Sequence, residues 1–116
     1  MILAIDQGTT ATTCFVFDER AEPVGRAHRE IAQHFPQPGW VEHDANEIWT
    51  LTQLLAGEAL AEAGVPQDEF EAALPDLARA AFMDPSVRTN PRIPMVSELM
   101  DLLRAGYEGR PSRLPR

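Results

Sequence analysis

The sequence predicts an α+β fold, a small antiparallel β-meander followed by three to four α-helices. Three observations lead there. Short runs rich in Ile, Val, Phe and Thr, each bounded by turn residues, fill positions 2–33. Apolar residues then recur at helical spacing from Ile48 onward, and Pro and Gly break the second half into pieces too short for one long helix.

Taken in order, Ile2 to Asp6 and Thr12 to Phe17 read as two strands around a Gly-Thr-Thr turn. Asp18 to Pro23 is the next turn, and Val24 to Gln33 reads as a third, alternating strand. Phe35 to Trp40 is a Pro/Gly loop. Asp44 followed by Glu47 has the spacing of a capping box that opens a helix, whose apolar stripe is Ile48, Leu51, Leu55 and Ala59; Gly64 and Pro66 end it. Three further helical pieces are expected at Asp68 to Ala73, Pro75 to Met83 and Pro94 to Tyr107, with Pro75 opening its own helix because a proline disrupts a helix interior. Val96, Leu99, Leu103 and Tyr107 recur at helical spacing in the last piece. The division expected is 1–64, 65–109 and a disordered Arg- and Pro-rich tail, 110–116.

Composition narrows the function classes. The chain has 116 residues, so one small domain is the ceiling, and 44% apolar residues suffice for a core only if the two halves are complementary. Ten Arg against eighteen Asp and Glu give a net charge of −8, which argues against nucleic acid or an anionic membrane as partner. The absence of lysine excludes a Walker-type phosphate lysine and Schiff-base chemistry from this sequence. The single cysteine, Cys14, lies in an apolar strand and reads as a buried, inert thiol. Neither a signal peptide nor a membrane span is expected at the N-terminus, which places the chain in the cytoplasm.

The chemistry-bearing motif is Asp6-Gln-Gly-Thr-Thr10. Gly8 permits close approach of backbone to an anion, Thr9 and Thr10 bring hydroxyl and amide donors, and Asp6 at the strand end can hold magnesium through water. The same string also suits an ordinary hairpin turn, and taken alone these residues favour the turn over a phosphate site. Other candidates read as structural. His28 and His34 on one strand lie ~20 Å apart, too far for one metal. His43 reads as a surface residue, Trp40 and Trp49 as packing residues, and the acidic helix faces as solvated surface.

Longer strings add a resemblance. Cys14 to Asp18, Val24 to Ile31 and Phe35-Pro-Gln-Pro-Gly-Trp-Val-Glu-His-Asp44-Ala-Asn-Glu-Ile-Trp49, at the right distance from the Asp6 to Thr10 loop, resemble the glycerol kinases of the FGGY carbohydrate kinase family. The resemblance implies that the meander opens an actin-like, ribonuclease H-like kinase fold, incomplete here. It implies ATP with magnesium as cofactor, Asp6 beside the metal, and Gly8, Thr9, Thr10 and Ala11 against the nucleotide phosphates. The family carries Ser at the position of Ala11 and Arg at the position of Thr13, so one hydroxyl and one guanidinium are missing and phosphate binding should be weaker.

The last third, from Ala73 to Tyr107 with Thr89-Asn-Pro-Arg92 between two helices, resembles instead the C-terminal end of iron-containing alcohol dehydrogenases. No metal or NAD ligand comes with that segment. The expectation is therefore a glycerol kinase-like fragment that lacks the glycerol-binding, catalytic and adenine-binding parts and is inactive alone. The alternatives are a non-enzymatic rearrangement product acting through association of exposed apolar helix faces, and a remnant of an iron-containing alcohol dehydrogenase.

Overall fold

A computed structural model describes residues 1–111, in which β1 (Ile2–Gln7), β2 (Ala11–Phe17) and β3 (Pro23–Glu30) pair in sequential antiparallel order. The alternation of β2 sets the sheet's two faces. Thr12, Cys14 and Val16 are buried, while Thr13, Phe15 and Phe17 point to the other side and are half-buried. The register carries this across the sheet: Leu3 and Gly25 flank Val16, Ile5 and Ala27 flank Cys14, and Asp6 and His28 flank Thr13. The β2–β3 turn is closed by Asp18, whose Oδ1 accepts the Arg20 and Glu22 N–H groups at 2.8 and 3.0 Å.

Helix α1 (Ala45–Glu62) covers one face of the sheet. Leu55, Ala56 and Ala59 pack on Cys14, Val16 and Ala27, with Leu3, Leu60 and Ala63 at the margin. Full burial of a side chain such as Leu55 or Val16 contributes roughly 1.5–3 kcal/mol. The inward residues of β3 are small because the helix backbone lies directly on them. A Cβ at Gly25 would stand 2.2 Å from the Ala59 carbonyl oxygen, so this position admits only glycine without backbone movement.

The expected capping box does not form. Asp44 caps α1 by accepting the Asn46 N–H at 2.8 Å, but Glu47 turns away from the cap and accepts the Ala32 N–H at 3.1 Å. Glu47 belongs to a column of carboxylates facing β3 and its exit. Glu58 pairs with Arg29 at 3.0 Å, and Glu62 accepts the Arg26 N–H at 2.7 Å. The acidic face of α1 is therefore engaged with the sheet edge rather than merely solvated. At its other end α1 closes in a Schellman motif, with Gly64 at φ 67° and the Val65 N–H reaching the Leu60 carbonyl.

The two helices expected on either side of Pro75 are one, α2 (Gln67–Met83). Pro75 lacks the N–H that would reach the Glu71 carbonyl, yet the helix runs on because its buried stripe crosses the proline. Leu74 and Ala78 are fully buried on opposite sides of it, and Phe70, one turn earlier, stacks on Tyr107 with ring centroids 4.3 Å apart. A 3-10 turn, Pro85–Thr89, leads to α3 (Val96–Tyr107), which starts two residues later than the sequence suggests; Glu98 accepts the Met95 N–H at 2.8 Å. Arg104 donates from Nε and Nη2 to both Glu71 oxygens at 3.0–3.2 Å, and the Tyr107 hydroxyl donates to the Val65 carbonyl at 2.8 Å.

Helix α3 also rests on α1, so the C-terminal helices find a partner within the chain. Two glycines meet closely where the chain leaves α3. A Cβ at Gly57 would lie 2.4 Å from the Gly109 backbone nitrogen, and Gly109 itself adopts φ 62°. Beyond α1 the chain buries Leu74, Ala78, Leu99 and Ala105 apart from the sheet–α1 cluster, while α3 keeps its contact with α1. Most of the tail expected to be disordered, residues 112–116, lies outside the described residues. The chain extends over 50 × 32 × 23 Å with a radius of gyration of 15.4 Å, against about 13 Å for a compact chain of this length.

Candidate phosphate-binding site

The β1–β2 hairpin turn is fixed from two sides. The Gly8 N–H donates to the Ala11 carbonyl at 2.9 Å, and the Thr10 carbonyl accepts the Ile31 N–H at 3.0 Å. Ile31 can do this because the chain leaves β3 there and turns its side chain into the core. Gly8 therefore spends its amide inside the turn and not on a ligand. Thr9 and Thr10 are exposed at the tip, and their hydroxyls make no hydrogen bond among the described residues. Ala11 is half-buried as the first residue of β2 and contributes no side-chain donor.

Asp6 projects on the sheet face opposite α1, directly across from Thr13, and has no ion-pair partner among the described residues. His28 completes the same row: the Thr13 Oγ1 and His28 Nδ1 are 2.9 Å apart. The site thus brings Asp6, Thr9 and Thr10 to one end of the sheet, as the sequence suggests, and adds Thr13 and His28. The signal for His28 was its strand position, readable only once the β2–β3 register is known. Further along the same face Arg26 lies over the Phe15 ring at 5.6 Å, and Glu30 stands opposite Ala11.

The other candidate residues fall apart spatially or chemically. His34 is not on β3, which ends at Glu30; it lies beyond, in a bridge with Glu42. His43 is half-buried rather than a surface residue, and its Nε2 has no hydrogen-bond partner. Trp40 is 56% exposed and so does not pack, because the Pro/Gly loop carries it away from α1; Trp49 is half-buried. Burial pushes the Cys14 thiol up to about 11, which keeps it protonated and inert. No group of three or more His, Cys, Asp or Glu converges on a metal position among the described residues. The donor set at Asp6, one carboxylate beside hydroxyls, fits a magnesium ion held through water and phosphate oxygens and does not fit an all-protein cage.

The sheet, its turn and α1 have counterparts in known proteins. The FGGY family of carbohydrate kinases, N-terminal domain, matches residues 1–73. This chain belongs to the FGGY family of carbohydrate kinases. Among curated relatives, a glycerol kinase of Deinococcus radiodurans is 49% identical over 71 residues, which is 61% of this chain and 14% of that protein. A glycerol kinase of Lactobacillus acidophilus is 48% identical over 64 residues (55% and 13%), and one of Staphylococcus epidermidis 49% over 70 residues (60% and 14%). The aligned part of the chain thus spans about one seventh of the length of these relatives. Asp6, the Gly8 to Ala11 turn and His28 all lie within the FGGY match, which ends inside α2; the remainder of α2, the 3-10 turn and α3 lie beyond it. No helix among the described residues is long and apolar enough to cross a membrane.

Proposed function

We propose that the chain is a glycerol kinase-like N-terminal FGGY segment that retains a weak site for the phosphates of Mg-ATP and does not by itself transfer phosphate to glycerol. The observation that carries this reading is the exposed Thr9–Thr10 hairpin, with uncommitted hydroxyls, at the end of a strand that presents an uncommitted Asp6. Thr9 and Thr10 would hold phosphate oxygens, and Asp6 would orient the water shell of a magnesium ion, whose charge offsets that of the phosphates. Phosphoryl transfer depends on holding nucleotide, metal and acceptor in line, and a turn that contacts phosphates alone does not position an acceptor. Isothermal titration with Mg-ATP should give weak binding that is lost in the Thr9→Ala/Thr10→Ala double variant; no heat at millimolar nucleotide removes the reading. In a coupled assay, glycerol-dependent turnover above a mock preparation, abolished by Asp6→Ala, would overturn the claim of inactivity.

A second reading is supported by the end of the family match at residue 73, within α2, while α2 and α3 pair through Phe70, Tyr107, Glu71 and Arg104. On that reading the chain is a hybrid whose last third descends from an iron-containing alcohol dehydrogenase and acts through association. Detection of a peptide spanning Ala63 to Arg79 by mass spectrometry would establish the junction in the expressed protein.

A further inference from the structure

We propose that His28, oriented by the Thr13 hydroxyl, is a ring N–H donor to a polyphosphate seated on the Thr9–Thr10 turn; this rests on the phosphate-binding reading above. Three observations lead to it. The register places Asp6, Thr13 and His28 in one row across all three strands, on the face that no helix covers. The Thr13 Oγ1 occupies His28 Nδ1 at 2.9 Å, which fixes the ring and leaves Nε2 as the outward nitrogen. The neighbouring cations are committed elsewhere. Arg29 faces α1 and pairs with Glu58 at 3.0 Å, and Arg26 is two residues further from the turn, roughly 7 Å along the strand, and lies over Phe15.

The charged groups on this face are Asp6 across the row, Arg26 and Glu30 on either side of His28 in β3. Asp6 and Glu30 disfavour an anion unless a cation intervenes, and magnesium beside Asp6 would supply that charge at one end of the row while His28 offers a ring N–H at the other. With Nδ1 held by Thr13, Nε2–H is the donor left for a phosphate oxygen.

The chain has three histidines, at 28, 34 and 43, so imidazole carbon-proton resonances are few enough to assign with a single His28→Gln variant. Titrating the full chain with inorganic triphosphate and magnesium should move the His28 signals and leave those of His34 and His43 in place. His28→Gln should weaken binding roughly five-fold, and His28→Arg should restore it. His28 is exposed, so circular dichroism should be unchanged in both variants. Binding by the unaltered chain that is equally tight in His28→Gln overturns the assignment of His28 while leaving the turn as the site. Failure of the unaltered chain to bind triphosphate overturns both.

Discussion

Two buried residues of β2 illustrate how a single side chain sets stability here. Thr12 is fully buried, and its Oγ1 has no hydrogen-bond partner. An unmatched buried hydroxyl costs about 1–3 kcal/mol, so Thr12→Val should stabilise the chain by about 1 kcal/mol, read as a higher urea midpoint at unchanged slope. Cys14, two residues on, makes stability fall at alkaline pH. Its thiol is raised from 9.0 to about 11 by burial. Below pH 9 both folded and unfolded chains keep the proton; between 9 and 11 only the unfolded chain loses it, so folding weakens by on the order of 2 kcal/mol as pH rises through that window. Cys14→Ala should lose more stability at neutral pH but show a flatter alkaline limb. The burial of Cys14 is legible in the sequence, but the cost at Thr12 is not. Alternation placed both positions on one strand, but Thr12 gave no sign that its hydroxyl would be stranded, because that depends on α1 closing over it without offering an acceptor.

At the scale of elements, the sequence was most legible where local chemistry and tertiary packing agree. The first two strands, the Asp44 start of α1 and its Gly64 end appear where turn residues and alternation put them, while β3 stops at Glu30 rather than Gln33 because Ile31 leaves the strand to bond the Thr10 carbonyl. It misled where packing overrode local preference. Pro75 reads as a helix start, yet Leu74 and Ala78 gain enough by facing α3 together that the helix tolerates a lost hydrogen bond. Pro75→Ala would restore the bond to the Glu71 carbonyl and should stabilise the chain by about 1–3 kcal/mol, measurable as a higher melting temperature. The Glu71–Arg104 pair holds the same two helices and depresses the Glu71 carboxyl, as the Arg92 contact does for Glu98. Both groups release protons more readily in the folded chain. Acidification through the ordinary carboxylate range therefore protonates the unfolded chain first and loosens the α2–α3 pair, which amide exchange should report before the sheet responds. The carboxylate column of α1 looks solvent-facing in the sequence because two of its three targets, the Arg26 and Ala32 N–H groups, are backbone donors far away in the chain, which no sequence pattern marks.

Across the whole molecule, the core is thin. Eleven apolar residues are buried among those described, and five of them are alanines, while Phe35, Trp40, Met83, Ile93 and Met95 stay more than half exposed. A core of such small volume predicts low stability, near the bottom of the usual range of about 5–15 kcal/mol. Part of what joins the two halves is a close backbone approach at Gly57 and Gly109. Gly57→Ala should push Gly109 away, detach α3 from α1 and cost about 1–3 kcal/mol, with the sheet signals in a two-dimensional NMR spectrum retained and those of α3 broadened. Coincident loss of both sets would show instead that the halves fold as one unit. The site was legible in part for a related reason: Asp6 and the Thr9–Thr10 turn are local, whereas His28 joins them only through pairing between strands that are 15 residues apart at Thr13 and His28.

The two borders of the sheet are unlike. Along β3 the Arg26 amide is already taken by Glu62, Arg29 is held by Glu58, and the exit at Ala32 is held by Glu47; among the described residues no side chain guards β1 in this way. A second copy could add its own β1 there, but both outer borders of the resulting six-stranded sheet would then be guarded β3 strands. Growth by strand addition ends at that step, so carboxylates on a helix would restrict this route to a pair and deny it a fibre.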